Sequence, residues 1–427
     1  MNRFITLMPR NILYFVCLLS GSVCAQEINA ESVIGAPTQE GNKLWEGVKK
    51  TWRDDIQFHG FLSQGLFSSS GNNIYGQSKD SVSADSTEIG LNVSYQAFNN
   101  LSFAVQGLYR RAGANTGDAG EVTLDFGFVD LNLLNLSDGR IGVRGGRIKN
   151  PWGLYNETRD VAFTHPTILL PLAYFERSRT LFLALDGGQL YADYNTSMGD
   201  FSFKFNYGWA NADDKELLTA IINDPTASGY LESDPSFVTQ LSYEILGGEY
   251  VFALSYAELN MRYQAKNIGD PYAQLDADIK SFIISAQYNG EKISFTGEYS
   301  LQWNEFTDIR FGVPDNSPVS EHWYVQAGYR LLDNLQATLR YDSTVQDKND
   351  RYGKGVEAAT GGMVPGHLMY AQDIVFGLRW DITPAWMIRA EYHRMHGATT
   401  ISLLENPDFS KIVKNWNIYA LQVAFRF

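Results

Sequence analysis

The sequence predicts an all-β fold, a transmembrane antiparallel β-barrel of about sixteen strands with the third outer loop folded into the lumen. Three observations predict it. Runs of alternating apolar and polar residues repeat from residue 55 to the C-terminus, and the connections between them alternate between short and long. After the N-terminal segment, no run approaches the roughly 18 apolar residues that a membrane-spanning helix needs. Barrel strands need only alternate lipid-facing and lumen-facing side chains, so their average hydropathy stays low.

Residues 1–25 read as a signal peptide. They combine a basic start, an apolar run over 12–19 and a small-residue cleavage site that ends at Ala25. Both cysteines of the chain, Cys17 and Cys24, lie in this segment. We therefore expect no disulfide and no thiol chemistry after cleavage.

Residues 26–54 show no strand pattern and are predicted to be a periplasmic N-terminal extension. Apolar residues four positions apart within 42–52 indicate a weak amphipathic helix. The sequence leaves open whether this extension rests at the barrel rim or enters the lumen. The transmembrane barrel is predicted to occupy residues 55–427.

Sixteen strand-like runs follow, at 56–67, 88–95, 101–110, 122–134, 140–147, 189–194, 201–209, 237–245, 250–263, 276–288, 293–303, 322–331, 335–342, 373–380, 386–393 and 415–427. The seventh alternates most clearly, because aromatic residues at odd positions flank Ser202, Lys204 and Asn206. The alternation of the fourth slips near Phe128, which predicts a β-bulge there.

Seven of the connections are short and carry Gly, Asn, Asp or Pro turn residues. The eight long ones lie near 69–84, 112–120, 149–186, 211–235, 264–275, 304–320, 343–371 and 397–413. This segregation is typical of an even-numbered outer-membrane barrel with both chain ends on the periplasmic side. Residues 213–222, in the fourth long connection, are predicted to form a short helix.

These features together resemble the Gram-negative outer-membrane porin family. The resemblance rests on the signal peptide, the sixteen strands, the long third loop and the last strand, ALQVAFRF, which ends at the aromatic Phe427. It implies a cell outer-membrane location, contacts with outer-membrane lipid and lipopolysaccharide, and a homotrimer. The implied function is passive diffusion of small hydrophilic solutes, with no cofactor and no enzymatic step. The alternative is a barrel without an open pore, either a barrel enzyme or an adhesion scaffold.

The third long connection is the predicted pore constriction. A connection of this length in a compact fold is usually functional or disordered, and this one is too rich in apolar and aromatic residues to be disordered. Its apolar segment 168–175 has two readings. It either packs the loop against the wall or a neighbouring subunit, or it forms an apolar path for solutes together with Tyr155, Tyr174 and Phe175.

The alternation on the fifth strand points Arg140 and Arg144 into the lumen. A bulge at Gly145-Gly146 is predicted to turn Arg147 and Lys149 inward as well. Further lumen-facing charges are predicted at Arg110, Lys204, Arg340, Arg379 and Arg389.

Porins similar to this chain place wall arginines opposite loop carboxylates. The resemblance therefore implies a constriction made by Arg144, Arg147, Glu157 and Asp160. Salt bridges that fix the loop to the wall are an equally good reading of these charges, and both can hold together. Glu176, Arg177 and Arg179 are predicted to anchor the loop.

Other function classes find little support. The formal net charge of −14 argues against nucleic acid, which needs a basic surface. Glu391 and His393 share the lumen face, but two ligands make a poor metal site, and no metal is expected. The sequence contains no GxSxG, phosphate-binding loop or HExxH motif.

Overall fold

The structure is a computed structural model that describes residues 56–113, 119–222, 224, 226–267, 270, 272, 275–307 and 317–427. The predicted signal peptide 1–25 and extension 26–54 lie outside these residues. Among the described residues, the helices are all too short or too polar to cross a membrane.

The described strands form one closed antiparallel sheet. They are β1 Ile56–Ser69, β2 Ser83–Phe98, β3 Leu101–Ala112, β4 Ala119–Leu136, β5 Gly139–Lys149, β6 Ala184–Thr196, β7 Gly199–Ala210, β8 Tyr230–Ser233, β9 Ser236–Ile245, β10 Tyr250–Gln264, β11 Asp276–Asn289, β12 Ile293–Thr307, β13 Val319–Leu332, β14 Leu335–Val345, β15 Tyr370–Asp381, β16 Trp386–Gly397 and β17 Asn415–Arg426. The sheet closes because β1 pairs with both β2 and β17. A closed sheet of this kind is what a membrane-spanning β-structure requires.

The seventeen strands correspond to sixteen positions in the wall, because β8 and β9 share one. Both pair with β10, with Tyr263 opposite Leu231 and Glu258 opposite Phe237. Between them lies Asp234-Pro235, and proline cannot donate to a strand ladder. The sixteen-strand antiparallel barrel predicted from the sequence is therefore confirmed.

The alternation of side chains places apolar groups outside and polar groups inside. On β7, Phe203, Tyr207 and Trp209 are exposed on the outer surface, whereas Asn206 is buried in the lumen. Residues directly opposite in adjacent strands share a face. The register therefore assigns each side chain to the lumen or the outer surface.

Two irregularities were predicted and only one is present. The register of β3 with β4 shifts at Gln106, so that Asp125 is the extra residue, three positions before the predicted slip at Phe128. By contrast, Gly145 and Gly146 pair without a shift with both β4 and β6. A Cβ on Gly146, whose φ is +136°, would lie 2.2 Å from the carbonyl oxygen of Gly127. This close approach explains a glycine here without any bulge.

Several of the described long connections, the third among them, fold inward and pack against the inner side of the wall. In their described parts they contain three short helices: α1 Arg179–Leu183, α2 Lys215–Ile222 and α3 Lys354–Ala359. Helix α2 confirms the prediction of a short helix over 213–222. It packs with α1 and inward residues of β10 and β11 in one apolar cluster, and a second cluster joins the first, seventh and eighth long connections to β16 and β17.

Candidate functional site

The connection from β5 to β6, residues 150–183, is termed the third loop. It contains four 3₁₀ turns, at Asn156–Thr158, Ala162–Thr164, Leu172–Tyr174 and Glu176–Ser178, followed by α1. Its backbone bonds to inward side chains of well-separated strands rather than leaving the barrel. The third loop thus crosses the lumen, as the sequence predicted.

The first anchor of the third loop is Glu298 on β12, whose side chain is buried. Its carboxylate accepts hydrogen bonds from the Leu154 backbone N–H at 3.0 Å and from the hydroxyls of Tyr174 at 2.6 Å, Tyr324 at 2.8 Å and Ser285 at 2.5 Å. The Tyr174 hydroxyl also accepts a bond from the Leu154 N–H at 2.7 Å. Hydrogen bonds to a charged group are among the stronger ones in proteins. This cluster therefore holds the third loop at Leu154 and at Tyr174.

The second anchor lies four strands further along the wall, at Glu391 of β16. Its carboxylate accepts hydrogen bonds from the backbone N–H groups of Ile168 at 2.5 Å and Leu169 at 3.2 Å. The ring of His393 lies between Glu391, at 3.1 Å, and Asp373, at 2.7 Å. The His393 side chain is completely buried, so it supports the anchor and does not face solvent.

Three predicted lumen arginines also bind the loop backbone. Arg340 donates to the Leu169 carbonyl oxygen at 3.0 Å and pairs with Asp342 at 2.6 Å. Arg389 donates to the carbonyl oxygen of Thr167 at 2.6 Å, and Arg379 donates to that of Phe163 at 3.2 Å. These arginines donate hydrogen bonds to loop carbonyl groups inside the barrel and hold the loop in place.

The apolar part of the third loop packs rather than lining an open path. Tyr155 and Tyr174 are each only 4% exposed and belong to the apolar cluster that includes α2. The ring of Phe175 lies edge-on against His322, with the ring centres 4.8 Å apart. Of the two readings of residues 168–175, these contacts favour packing against the wall.

Near β2 and β3, charged side chains meet across a gap between loop and wall. Arg110 of β3 pairs with Glu88 of β2 at 3.2 Å and with Glu176 of the third loop. Glu176 also lies 3.0 Å from Arg159 and 4.0 Å from Arg179. The pair of Arg110 and Glu176 is termed the eyelet pair.

A cavity lies on each side of the eyelet pair. The outer cavity, about 80 Å³, is lined by long connections, including Tyr75 and Ile401. The inner cavity, about 40 Å³ and thus room for a few water molecules, is lined by wall residues such as Glu88 and Gln422 together with the third loop. The residues shared by both cavities are Tyr75, Arg110, Ala112, Glu176 and Arg179. The eyelet pair therefore separates the two cavities.

The charges of the third loop are held in defined ionisation states. Burial raises the pKa of Glu176, but Arg110, Arg159 and Arg179 outweigh this effect and hold its pKa below the ordinary value of 4.5. Burial and the charge of Arg389 lower the pKa of His165 to about 3, so its ring is neutral at pH 7. Its Nδ1 lies 2.7 Å from the Thr167 carbonyl oxygen and carries the proton that it donates there.

Arg144 lies in the wall, away from the eyelet pair. It pairs with Asp130 of β4 at 2.7 Å and donates to Gln189 of β6 at 3.0 Å. Its guanidinium carbon lies 5.0 Å from the ring centre of Phe128 and 4.8 Å from that of Tyr191. Arg144 thus points into the lumen, but these partners belong to the wall and not to the third loop.

The predicted inward orientation of Arg147 is wrong. Arg147 is opposite Asp186, which is opposite Trp209 on the outer surface, so all three share the outer face. Arg147 pairs with Asp186 at 3.2 Å. The reason is that Gly145-Gly146 stays in register, and the alternation continues without the predicted reversal. Lys149, at the end of β5, does reach inside and pairs with Asp125 at 2.7 Å.

The two predicted loop carboxylates are engaged in ion pairs that join the loop to the wall. Glu157 pairs with Lys204 of β7 at 2.7 Å. Asp160 is buried between Lys149 at 2.6 Å and Arg179 at 2.5 Å. Of the two readings of these charges, their geometry favours anchoring of the loop.

The remaining predicted lumen charge, Arg140, lies near the short turn after β4 and pairs with Asp193 at 2.7 Å. Sequence reasoning assigned no role to Glu88 or Tyr75. Glu88 had a visible signal, since it lies on the polar face of a clearly alternating strand. No feature of the sequence pointed to Tyr75. In the structure its positive φ of 51° is uncommon for a residue with a side chain.

Comparison with known proteins identifies the fold through the structure and not through the sequence. The sequence matches no protein-family model and no curated protein. The structure is similar to the outer-membrane channel DcaP of Acinetobacter baumannii, with a TM-score of 0.54, 12% identity and coverage of 87% of this chain and 97% of that one. It is also similar to OprB of Pseudomonas putida, with a TM-score of 0.54, 12% identity and coverage of 90% and 97%.

A third similar structure is the outer-membrane protein OmpT of Vibrio cholerae lacking loop L8, with a TM-score of 0.53, 12% identity and coverage of 87% and 99%. At this low identity the similarity establishes the architecture alone. The resemblance to outer-membrane porins inferred from the sequence is confirmed at the level of the fold.

Proposed function

We propose that this protein is an outer-membrane channel for passive diffusion of small hydrophilic solutes, and that the eyelet pair is its narrowest point. The observation that carries the proposal is the position of Arg110 and Glu176 between two cavities inside a closed barrel. Selectivity in such channels arises at the narrowest point and from the charges that line it. In this proposal, a solute that moves between the two cavities passes this pair.

This proposal replaces part of the constriction expected from the sequence. Arg147 lies outside the lumen, and Glu157 and Asp160 are engaged in ion pairs between the loop and the wall. The charges that line the proposed eyelet are instead Arg110 and Glu88 on the wall and Arg159, Glu176 and Arg179 on the third loop.

An outer-membrane location, both chain ends on the periplasmic side, a homotrimeric assembly and contacts with lipid and lipopolysaccharide belong to the same proposal. The support is the barrel itself, whose outer face carries exposed apolar side chains such as Leu91, Phe103 and Val129. Contiguous apolar surface of this kind needs lipid or another subunit to cover it.

A barrel enzyme is the second candidate, and we propose that it is the weaker one. An enzyme of this fold would need a base beside a hydroxyl or carboxylate nucleophile in an accessible place. His393 lies beside two carboxylates, and His322 lies 2.5 Å from the Thr344 hydroxyl, but both rings are buried and neither is accessible. The choice between a channel and a closed barrel rests on conductance.

The experiment is single-channel recording with the purified full-length protein in planar bilayers containing potassium chloride. A channel gives discrete ohmic current steps. Folded protein, verified by its β-sheet circular dichroism and resistance to dissociation at room temperature, that leaves the bilayer electrically silent would exclude the channel function.

Removal of the charge of Glu176 should widen the eyelet. We expect Glu176→Gln to raise the single-channel conductance and to shift selectivity towards anions, because Arg110 then lacks its charged loop partner. Arg110→Gln should shift selectivity towards cations. The measurement is the reversal potential in a potassium chloride gradient. Arg351→Gln is a matched control, since Arg351 lies on the seventh long connection, is 43% exposed and pairs with Glu321 of β13 at 2.5 Å. Equal reversal potentials for all three variants would remove the eyelet from the permeation path.

The eyelet should also respond to acid. The pKa of Glu176 is lowered, so the ion pair is complete above the ordinary value of 4.5 and is lost as the pH falls through the lowered pKa. We expect the part of the conductance that depends on Glu176 to be constant from pH 7 to pH 5 and to rise below about pH 4.5.

The Glu176→Gln variant should lack this rise. The other titratable groups facing Glu176 are Asp160, Glu88 and Tyr75, and Glu88→Gln tests the carboxylate that shares Arg110. If the conductance still rises at low pH in Glu176→Gln but not in Glu88→Gln, the titrating group is Glu88 of the barrel wall and not Glu176 of the third loop.

A further inference from the structure

We infer that the outer cavity is a binding site for small organic anions that carry a compact apolar group, such as aliphatic or aromatic monocarboxylates. The inference rests on the proposed channel function and names its solute class. One side of the outer cavity is apolar, with Ile74, Tyr75 and Ile401. Its inner end is the eyelet pair, so a bound carboxylate would face Arg110.

The first argument is an exchange of partners at Arg110. The Arg110 side chain is only 7% exposed. Opening the eyelet separates it from Glu176 and leaves it with Glu88, at 3.2 Å. A buried charge that loses one of its partners is destabilised. A neutral solute cannot replace that partner, whereas a solute carboxylate can accept hydrogen bonds from the guanidinium group.

The second argument is an asymmetry between anions and cations. When a solute anion takes Arg110, Glu176 still has Arg159 at 3.0 Å and Arg179 at 4.0 Å. A solute cation would have to draw Glu176 away from three guanidinium groups and would then stand beside Arg110, which repels it. The exchange therefore favours anions, although the chain as a whole is acidic.

The acidic side chains that line the outer cavity already accept hydrogen bonds from neighbouring groups, which reduces the repulsion that an incoming anion meets. Glu216 binds Arg177 at 3.1 Å and the Ser402 hydroxyl at 2.6 Å. Glu405 accepts a hydrogen bond from the Gly76 N–H at 2.6 Å, and Asp214 accepts one from the Leu217 N–H at 2.7 Å.

The apolar side of the cavity is held in place. The ring centre of Tyr75 lies 4.7 Å from that of Phe67, and the Tyr75 carbonyl oxygen accepts a bond from Ser83 at 2.5 Å. Its positive φ of 51° is a conformation that persists only when the surrounding structure fixes it. A preformed apolar wall beside an arginine is suited to a hydrocarbon group attached to a carboxylate.

The test compares permeant ions of similar size and opposite charge in planar bilayers. The probes are potassium benzoate, potassium acetate and benzyltrimethylammonium chloride, and the readout is the permeability ratio from bi-ionic reversal potentials. We expect benzoate to permeate better than benzyltrimethylammonium. Arg110→Gln should reduce that ratio by on the order of tenfold, the factor that corresponds to about 1.4 kcal/mol. Arg110→Lys should retain part of it, and Arg351→Gln should leave it unchanged.

Ile401→Asn tests the apolar side separately. We expect this variant to reduce the permeability of benzoate relative to acetate without changing the ratio of acetate to chloride. A barrel that conducts potassium chloride but passes benzoate no better than benzyltrimethylammonium, or whose preference survives Arg110→Gln, would overturn the inference while the channel function stands. An absence of any potassium chloride current would instead overturn the channel function.

Discussion

Replacement of Glu298 with alanine should release the third loop from the wall and raise the single-channel conductance. The carboxylate accepts bonds from three hydroxyls and one backbone N–H, and it is buried. Each hydrogen bond to a charged group contributes about 1.5–3 kcal/mol. Two of the four bonds come from the third loop itself, and their loss raises the population of states in which this part of the loop is released, while the other anchors remain.

Release of the loop has a chemical readout besides current. Arg159 and Arg179 are each at most 6% exposed in the docked loop, so trypsin should leave the wild-type loop intact. The Glu298→Ala variant should be cut there at rates many times faster, because proteolysis follows the population of the open state. The measurement is mass spectrometry of the fragments after limited digestion in detergent.

Two further variants make this prediction specific. Tyr174→Phe removes the hydroxyl that joins Glu298 to the Leu154 N–H, and it should give a smaller effect of the same kind. Glu305→Ala is the matched control on the same strand, because Glu305 is exposed and pairs with Lys280 at 3.4 Å. If Glu298→Ala and Glu305→Ala have the same conductance and the same digestion pattern, Glu298 does not anchor the loop.

The barrel could be predicted from the sequence because the sequence features that specify it are local. Each strand reveals itself through a period of two, and β7, predicted over 201–209, spans Gly199–Ala210 in the structure. The turn residues and the contrast in loop lengths then order the strands around a closed sheet. None of these features depends on knowing which distant residues meet.

The site could be predicted only in part, because its contacts are not local. Leu154 and Glu298 are 144 positions apart, and Arg110 and Glu176 are 66 apart. Glu176 was recognised as a loop anchor, but its partner on β3 could not be chosen among several inward arginines. The orientation of Arg147 failed for a different reason. A Gly-Gly pair permits a bulge but does not require one, and the close approach of Gly146 to Gly127 is visible only in the structure.

Replacement of Arg340 with methionine should be among the most destabilising single changes in the barrel. Arg340 and Asp342 are completely buried and pair at 2.6 Å. The Asp342 carboxylate also accepts a bond from the Leu172 N–H at 3.1 Å. Removal of one partner from a buried ion pair costs about 3–5 kcal/mol, because the other charge remains without compensation.

The double variant Arg340→Met with Asp342→Leu separates the charge effect from lost packing. Two apolar side chains in place of a buried ion pair can be nearly neutral, so the double variant should regain much of the stability lost by Arg340→Met alone. Arg262→Met is the exposed control, since its pair with Asp234 at 2.5 Å is accessible to solvent, and such pairs contribute about 0–1 kcal/mol.

The measurement is the urea midpoint of unfolding in detergent micelles or lipid vesicles, compared at equal slopes. A double-mutant cycle then gives the coupling free energy of Arg340 and Asp342. A large coupling free energy means that Arg340 and Asp342 stabilise each other in the buried pair, from which Arg340 also binds the loop carbonyl groups. A coupling near zero, with Arg340→Met no worse than Arg262→Met, would mean that water reaches this pair and that the lumen beside the third loop is more open than the buried contacts of Arg340 indicate.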